Sequence, residues 1–588
     1  MHSETPKQYI EKLMSQVLKG SEYEAYFDHL NLNIVPPADP NFGDYSTNIA
    51  LLLSKQLKRK PSEIAKNVIE KFKTLSQKKV FSEIYEAKGF INFRLSNERL
   101  LENLALILES KENYGGSQIG QGKTMVVEYF QNNVAKPPHV GHLRSAVIGD
   151  SLLRVLRLLG FMAMSDTHIG DWGVQFGILL YAYKEFIKAG GKKAQIEKDP
   201  INELNKLYVE MSAKIESDET LREKGKEEFA KLEKGNAENR KLWQWFVLES
   251  VVDFEKYRQL LGLLSFDHNL GESFYEDKMP EVLKEFKEKN LITVGETGEQ
   301  YVDLEKYGLG RAILVKSDNA TTYLLRDFAC YIYRKRKFDF YKNIYVVDNR
   351  QSHHFEQLFK VLEMAGYKAG TDSAHVDFGF MSLPEGAIST RKGTTVSLKN
   401  LLDEAVRRAL EIIKQKNPNL KNKEAVAQEV ALAAIKYFDL SHNRKTEIVF
   451  TWEKALSFEG NTGPYLQYAH ARIFGILRKC NFQFPISNFQ TNLKFQISNL
   501  QPQEELVLRK LIQFPEVLEQ VAATFLPNLL CNYLFELSQI LNTFYESCPV
   551  LQEKDENIKN FRLQLITATA QVISNGLYLL GIEAPEEM

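Results

Sequence analysis

Residues 124–160 constrain this chain more than any other stretch. Met125-Val126-Val127-Glu128-Tyr129-Phe130 is a short, nearly continuous apolar run, the pattern of a strand buried on both faces. A loop follows. Apolar residues then recur at helical intervals from about Gly141 to Leu159, where Gly160 supplies a stop. A buried strand, a loop and a helix in that order open a doubly wound α/β domain, and such sheets take their ligands at the C-terminal ends of the strands. The chain has 588 residues, room for about three to five domains.

The rest divides around that unit. Residues 1 to about 115 read as a mixed α/β domain: helical spacing over Thr47–Leu57 and after Pro61, then a strand at Phe90-Ile91-Asn92-Phe93, with Asn113-Tyr114-Gly115-Gly116 as linker. The α/β domain is expected over 120–420, interrupted by a charged helical insertion near 191–264, with strands returning at Ala312–Val315 and Asn343–Val347. From 421 to 588 amphipathic helices predict a bundle. Ile486-Ser487-Asn488-Phe489-Gln490 recurs as Ile497-Ser498-Asn499-Leu500-Gln501, and two copies are too few for a solenoid, so 481–501 reads as a surface insertion.

Composition removes several classes. With 44% hydrophobic and 26% charged residues the chain has ample core-forming material. Met1–Gly20 is polar, and no run of about 18 apolar residues occurs, so neither a secretory leader nor a membrane partner is expected and the location is cytoplasmic. Cys330, Cys480, Cys531 and Cys548 form no Cys-x-x-Cys, so no protein-bound zinc is expected. The net charge is −1, yet Lys55–Lys79 holds eight Lys and Arg59 against Glu63 and Glu70, which is either a solvated face or a phosphate-facing patch.

His139-Val140-Gly141-His142 falls where the loop meets the helix. Free N–H groups and the helix dipole favour an anion there, two imidazoles can donate to a phosphate as charge builds, and Gly141 is expected to let a nucleotide approach the backbone. Two incidental histidines are the plain alternative. Tyr323 and Asp327 are four apart and share a face if Thr322–Asp327 is helical. Tyr465 and Tyr468 are three apart, spaced either to stack on unpaired bases or to pack a bundle.

The wider text is similar to a known family. Asn133-Val134-Ala135-Lys136-Pro137-Pro138-His139-Val140-Gly141-His142-Leu143-Arg144-Ser145 resembles the nucleotide-binding motif of the class I aminoacyl-tRNA synthetases, and its flanks resemble the arginine-specific branch. His168-Ile169-Gly170-Asp171-Trp172-Gly173 is a second such stretch, where a buried Trp beside turn glycines already implies packing. Ser389-Thr390-Arg391-Lys392-Gly393 aligns with the mobile lysine-bearing loop, but Ala387 and Thr390 stand where the pattern has lysines.

The resemblance implies a multidomain α/β protein: a Rossmann-like class I synthetase catalytic domain, an N-terminal α+β appended domain touching the outer corner of tRNA, and a C-terminal all-α anticodon-binding bundle. It implies an arginine–tRNA ligase using ATP with Mg2+, L-arginine and tRNA(Arg), acting as a monomer. It assigns His139, His142, Lys136 and Lys392 to catalysis. ATP binding falls to His139, Gly141, His142, Ser389, Arg391 and Lys392. Glu128, Tyr323 and Asp327 hold the guanidinium, and Asn133 and Gln351 approach the backbone end of arginine. Asn92, Tyr465, Tyr468 and the final Met588 meet tRNA. Two rivals remain. A small-molecule nucleotidyltransferase shares His-x-Gly-His but needs neither a bundle nor paired carboxylates. An inactive RNA-binding paralogue would lose His139, His142 or Asp327, and all three are present.

Overall fold

A computed structural model describes residues 4–29, 32–77, 79–382, 397–480 and 500–588. The apolar run starting at Met125 forms the strand Thr124–Glu128, buried along nearly its whole length. It lies inside a four-stranded parallel sheet with the order Ser373–His375, Lys342–Tyr345, Thr124–Glu128, Met162–Asp166. The strand that enters first is central, and the chain departs from it in both directions, so the switch point lies between Thr124–Glu128 and Lys342–Tyr345. The helix Val140–Leu158 follows the first strand and is buried through most of its length against the sheet and the C-terminal helices.

The region 191–264 is helical, as its text predicts: Pro200–Ser217, Thr220–Glu233 and Ala237–Leu260 pack on Val174–Lys188 around Trp172, Phe176 and Phe229. The strand Arg311–Val315 stands outside the parallel sheet. It is the edge of a separate three-stranded antiparallel sheet with Ile292–Val294 and Gln300–Asp303. Its alternating burial, exposed at Arg311 and Ile313 and buried at Ala312 and Leu314, is the mark of a sheet with one wet face.

The N-terminal domain carries helices on one side of a three-stranded antiparallel sheet, with Phe90–Leu95 central between Tyr45–Thr47 and Phe81–Ala87. The C-terminal part is a bundle: Lys423–Leu440, Gly463–Lys479, Pro502–Leu511, Phe514–Thr524, Asn528–Ser547 and Glu556–Leu579. The N-terminal domain docks on this bundle through Tyr45, whose hydroxyl donates to Glu516 at 2.8 Å, and through the ion pair of Arg509 with Asp44. Residues 481–499 lie outside the described residues, so the expected insertion is not placed. No described helix is long and apolar enough to cross a membrane.

Candidate functional site

The histidine pair is built by the helix start itself. His139 is the N-cap of Val140–Leu158. Its Nδ1 accepts the Gly141 N–H at 3.0 Å, while the His139 N–H donates to Nδ1 of His142 at 3.1 Å. Both Nδ1 atoms are therefore acceptors, which fixes each neutral ring as the Nε2–H tautomer. Burial pushes the His142 pKa down to about 3, helped by His139 and Lys136, and burial also lowers that of His139. The result is two uncharged Nε2–H donors, with ring centres 4.0 Å apart, at the positive end of a helix.

Gly141 has a reason of its own in the cap. A Cβ there would lie 2.7 Å from the His139 ring, so the cap itself calls for glycine. Gly141→Ala is accordingly expected to keep the fold and slow adenylate formation by ten- to about a hundred-fold, because small misplacements of a reacting group cost that much. Pyrophosphate exchange at the wild-type rate would show that the ring position is unimportant.

Lys136 is half-buried with its ammonium 4.9 Å from the Tyr208 ring centre, and burial lowers its pKa. It lies close enough to both histidines to depress their protonation. Ser389, Arg391 and Lys392 lie outside the described residues. The residue that follows that segment, Ser397, bridges to His139.

Across the switch point, helix Tyr323–Phe338 turns one face into the strand ends. Tyr323, Asp327, Cys330 and Arg334 recur at steps of four, three and four, so they line up along it. Arg334 is fully buried and bonds Glu128 at 2.6 Å and Asp166 at 2.8 Å, joining the ends of two adjacent strands. Asp327 accepts from His354 Nε2 at 2.6 Å and lies 3.7 Å from His168 Nε2. Burial pushes the Asp327 carboxyl up, but the His354 hydrogen bond and the nearby positive charges outweigh it and hold it below the usual carboxylate range. Burial opposes charge on His168, yet Cys330, Glu128 and Asp327 around it raise its pKa well above the imidazole value. The carboxylates of Glu128, Asp166 and Asp327 thus gather around Arg334, His168 and His354.

Most of the expected arginine-side residues converge here, though not all in the expected way. Glu128 is already engaged by Arg334, and its Oε1 accepts from Gln131 at 3.2 Å, so it is not a bare carboxylate awaiting a guanidinium. Tyr323 is exposed, its ring 4.8 Å from that of His354. Gln351 is exposed at the start of helix Ser352–Met364, and Asn133 is exposed beside Gly170, where a Cβ would meet its Oδ1 at 2.3 Å. Arg334, Asp166, His168 and His354 were not singled out. Arg334 had a readable signal, since it falls two turns beyond Asp327.

Glu128, His168 and Cys330 bring three possible metal ligands within 4.8 Å of one another. Arg334 already occupies Glu128 and places a fixed positive charge beside it, which disfavours a cation. Glu272, its carboxyl raised by burial to about 7 against the pull of Arg326, sits on the rim of the same cluster.

The RNA-side residues divide. Asn92 lies in the central strand of the N-terminal sheet at 2% exposure, and its Nδ2 has no hydrogen-bond partner there. Tyr465 is held as packing: its hydroxyl accepts from Asn542 at 2.7 Å and its ring meets Phe535 edge-on. Tyr468 is 49% exposed and free to stack. Met588 rests against the core with its carbonyl accepting from Asn417 Nδ2 at 3.0 Å.

Leu143-Arg144-Ser145 proves to be architecture. Arg144 is buried, pairs with Asp439 at 2.9 Å and donates to the carbonyls of Gly379 and Thr446. Ser145 takes the Phe130 N–H and donates to the Val346 carbonyl, closing the sheet over the helix.

A parallel sheet with its switch point between a neutral histidine pair and a carboxylate pocket, joined to a helical bundle, defines a class I aminoacyl-tRNA synthetase. The profile described as tRNA synthetases class I (R), catalytic domain, matches residues 103–452. The DALR anticodon binding domain matches 466–588, and the arginyl tRNA synthetase N-terminal domain matches 7–95. The arginine–tRNA ligase of Lactococcus lactis is 40% identical over 94% of this chain and 95% of its own, and that of Alkaliphilus metalliredigens 38% identical over 99% of each. The Thermus thermophilus arginyl-tRNA synthetase structure superposes with a TM-score of 0.82 at 26% identity, covering 99% of this chain and all of that one. The chain belongs to the arginyl-tRNA synthetase family.

Proposed function

We propose that the chain joins L-arginine to tRNA(Arg) in two steps. An arginine carboxylate oxygen attacks the α-phosphorus of ATP, and the bond to the β-phosphate oxygen breaks, releasing pyrophosphate. The 2′-hydroxyl oxygen of the terminal adenosine then attacks the arginyl carbonyl carbon. The bond to the phosphate oxygen breaks, AMP leaves and the hydroxyl proton is released. The observation that carries this reading is the reciprocal cap of His139 and His142, which leaves two preset Nε2–H donors at a helix N-terminus, suited to the charge that develops on a phosphate. Magnesium enters with ATP.

Lys136 adds positive charge beside the pair, and Ser389, Arg391 and Lys392 are assigned to the phosphates from the motif. Asp327 is the primary guanidinium ligand, with Tyr323 over it and Glu128 supporting through the Arg334 cluster. Asn133 and Gln351 hold the backbone end. Lys55–Lys79, Tyr468 and the Met588 end form the tRNA-facing set, with Tyr465 positioning the bundle helix.

Asp327→Asn tests the pocket. A charged hydrogen bond is worth about 1.5–3 kcal/mol, so the KM for arginine is expected to rise ten- to about a hundred-fold while the KM for ATP stays within two-fold. Pyrophosphate exchange, run over all amino acids with and without tRNA, reads both. An unchanged arginine KM removes Asp327 from the pocket, and exchange with a different amino acid overturns the function itself.

A further inference from the structure

ATP brings a chain of phosphates to a histidine pair that is itself neutral. Among the described residues only Lys136 has been given a positive charge to set beside it, and Ala387 and Thr390 stand where the motif has lysines. Pyrophosphate gathers negative charge as it leaves, which calls for a further cation. Arg350 is placed to supply one. It lies on the short 3-10 turn Asn349–Gln351, just past the C-terminal end of the strand Lys342–Tyr345. That strand runs parallel to Thr124–Glu128, so the turn opens at the same rim as the histidine loop.

Two bonds from the histidine helix bracket Arg350. Ser145 donates to the carbonyl of Val346, four residues before it, at 2.8 Å, and Arg144 donates to the carbonyl of Gly379. The Arg350 guanidinium lies 5.8 Å from the ring centre of Phe380, the residue after Gly379. Its charge reaches the pair: burial lowers the His139 pKa, and Arg350 adds more to that than Lys136 does. The side chain is oriented and still open. Nε donates to Asp348 Oδ1 at 2.8 Å and Nη2 to Oδ2 at 2.9 Å, a bidentate grip on one edge of the guanidinium. Asp348 is fixed in turn as the N-cap, taking the Arg350 N–H at 2.9 Å, and its backbone bridges to Phe378.

A guanidinium has a second edge. Nη1 has no partner among the described residues, and the side chain is 75% exposed. Nη1 and the outer hydrogen of Nη2 thus present two parallel donors, the geometry that phosphate oxygens accept. A surface ion pair by itself is worth little, so the Asp348 contact matters more for the direction it gives this free edge than for stability. We propose that Arg350 is a catalytic residue of the first step, gripping the β- and γ-phosphates of ATP with that edge as pyrophosphate leaves. The proposal rests on the function above and adds a cation to its phosphate site.

Arg350→Ala trims an exposed side chain and is expected to fold normally. Its single-turnover rate of adenylate formation, with tRNA present, should fall ten- to about a hundred-fold, the worth of a charged hydrogen bond. In the reverse direction, where arginyl-adenylate and inorganic pyrophosphate give ATP, the KM for inorganic pyrophosphate should rise about ten-fold or more. Transfer from preformed arginyl-adenylate to tRNA involves no pyrophosphate and should stay within about two-fold, as should the KM for arginine. Those two readouts separate a phosphate contact from a displaced turn, because Gln351, the next residue, is assigned to the backbone end of arginine. Wild-type adenylation together with a wild-type pyrophosphate KM overturns the proposal and leaves Arg350 as a surface partner of Asp348. Transfer or arginine KM damaged to the same extent assigns the defect to the turn and overturns it as well. Wild-type enzyme without arginine-dependent exchange overturns the underlying function instead, so the failures are distinct.

Discussion

Arg334→Met is expected to lower unfolding free energy by about 3–5 kcal/mol, because it strips the buried carboxylates of Glu128 and Asp166 of their ion-pair partner. The guanidinium is fully buried and is the bond between two neighbouring strand ends, so no water can replace it in place. Urea unfolding followed by circular dichroism measures the loss. A triple variant with Glu128→Gln and Asp166→Asn added should recover most of it, since removing every charge together is far less costly than removing one. A single variant within 1 kcal/mol of wild type would mean that the cluster is hydrated. The single variant is also expected to lose arginine selectivity before it loses ATP binding, since Glu128 would turn on the nearest cation it can find.

His142→Ala is the second. Removing one preset donor to a developing phosphate charge costs about 10²–10³ in rate, here in adenylate formation measured in single turnovers with tRNA present. Asp327→Asn moves the arginine KM, whereas His142→Ala moves the rate at saturating arginine, so the two lesions separate. The pH behaviour follows from the depressed pKa of about 3. The folded protein keeps His142 neutral while the unfolded chain takes up a proton below about pH 6.5. This site's contribution to stability is therefore complete above pH 6.5 and is lost as pH falls toward 3. The variant should show a shallower acid limb in unfolding free energy over that window. An identical limb would mean that the imidazole is accessible in the folded state.

What could be read from the text follows the range of the interactions involved. The strand at Met125, the capped helix at His139 and the shared face of Tyr323 and Asp327 depend on neighbours within a few residues, and they stand where spacing puts them. Arg334 meeting Glu128 spans 206 positions, and Asp327 meeting His354 spans 27 across two helices, so neither partner is visible in local pattern. The tautomer of the histidines needed the direction of two backbone N–H groups. Asn92 is a third case: the resemblance assigns it to RNA, and only its register opposite Ser46 and Tyr85 shows that it is buried.

Arg144 gives the molecule a mechanical character. Two residues beyond His142, it is locked to Asp439 and to carbonyls at 379 and 446, in the seam where the sheet domain meets the helices that lead into the bundle. The helix is thus a crank with the histidines at its short end and its bearing in the seam beside the C-terminal helices. Their frame of reference is the seam as much as the sheet. A tilt of that seam, whatever its origin, is delivered to the histidine pair with no intervening loop to absorb it.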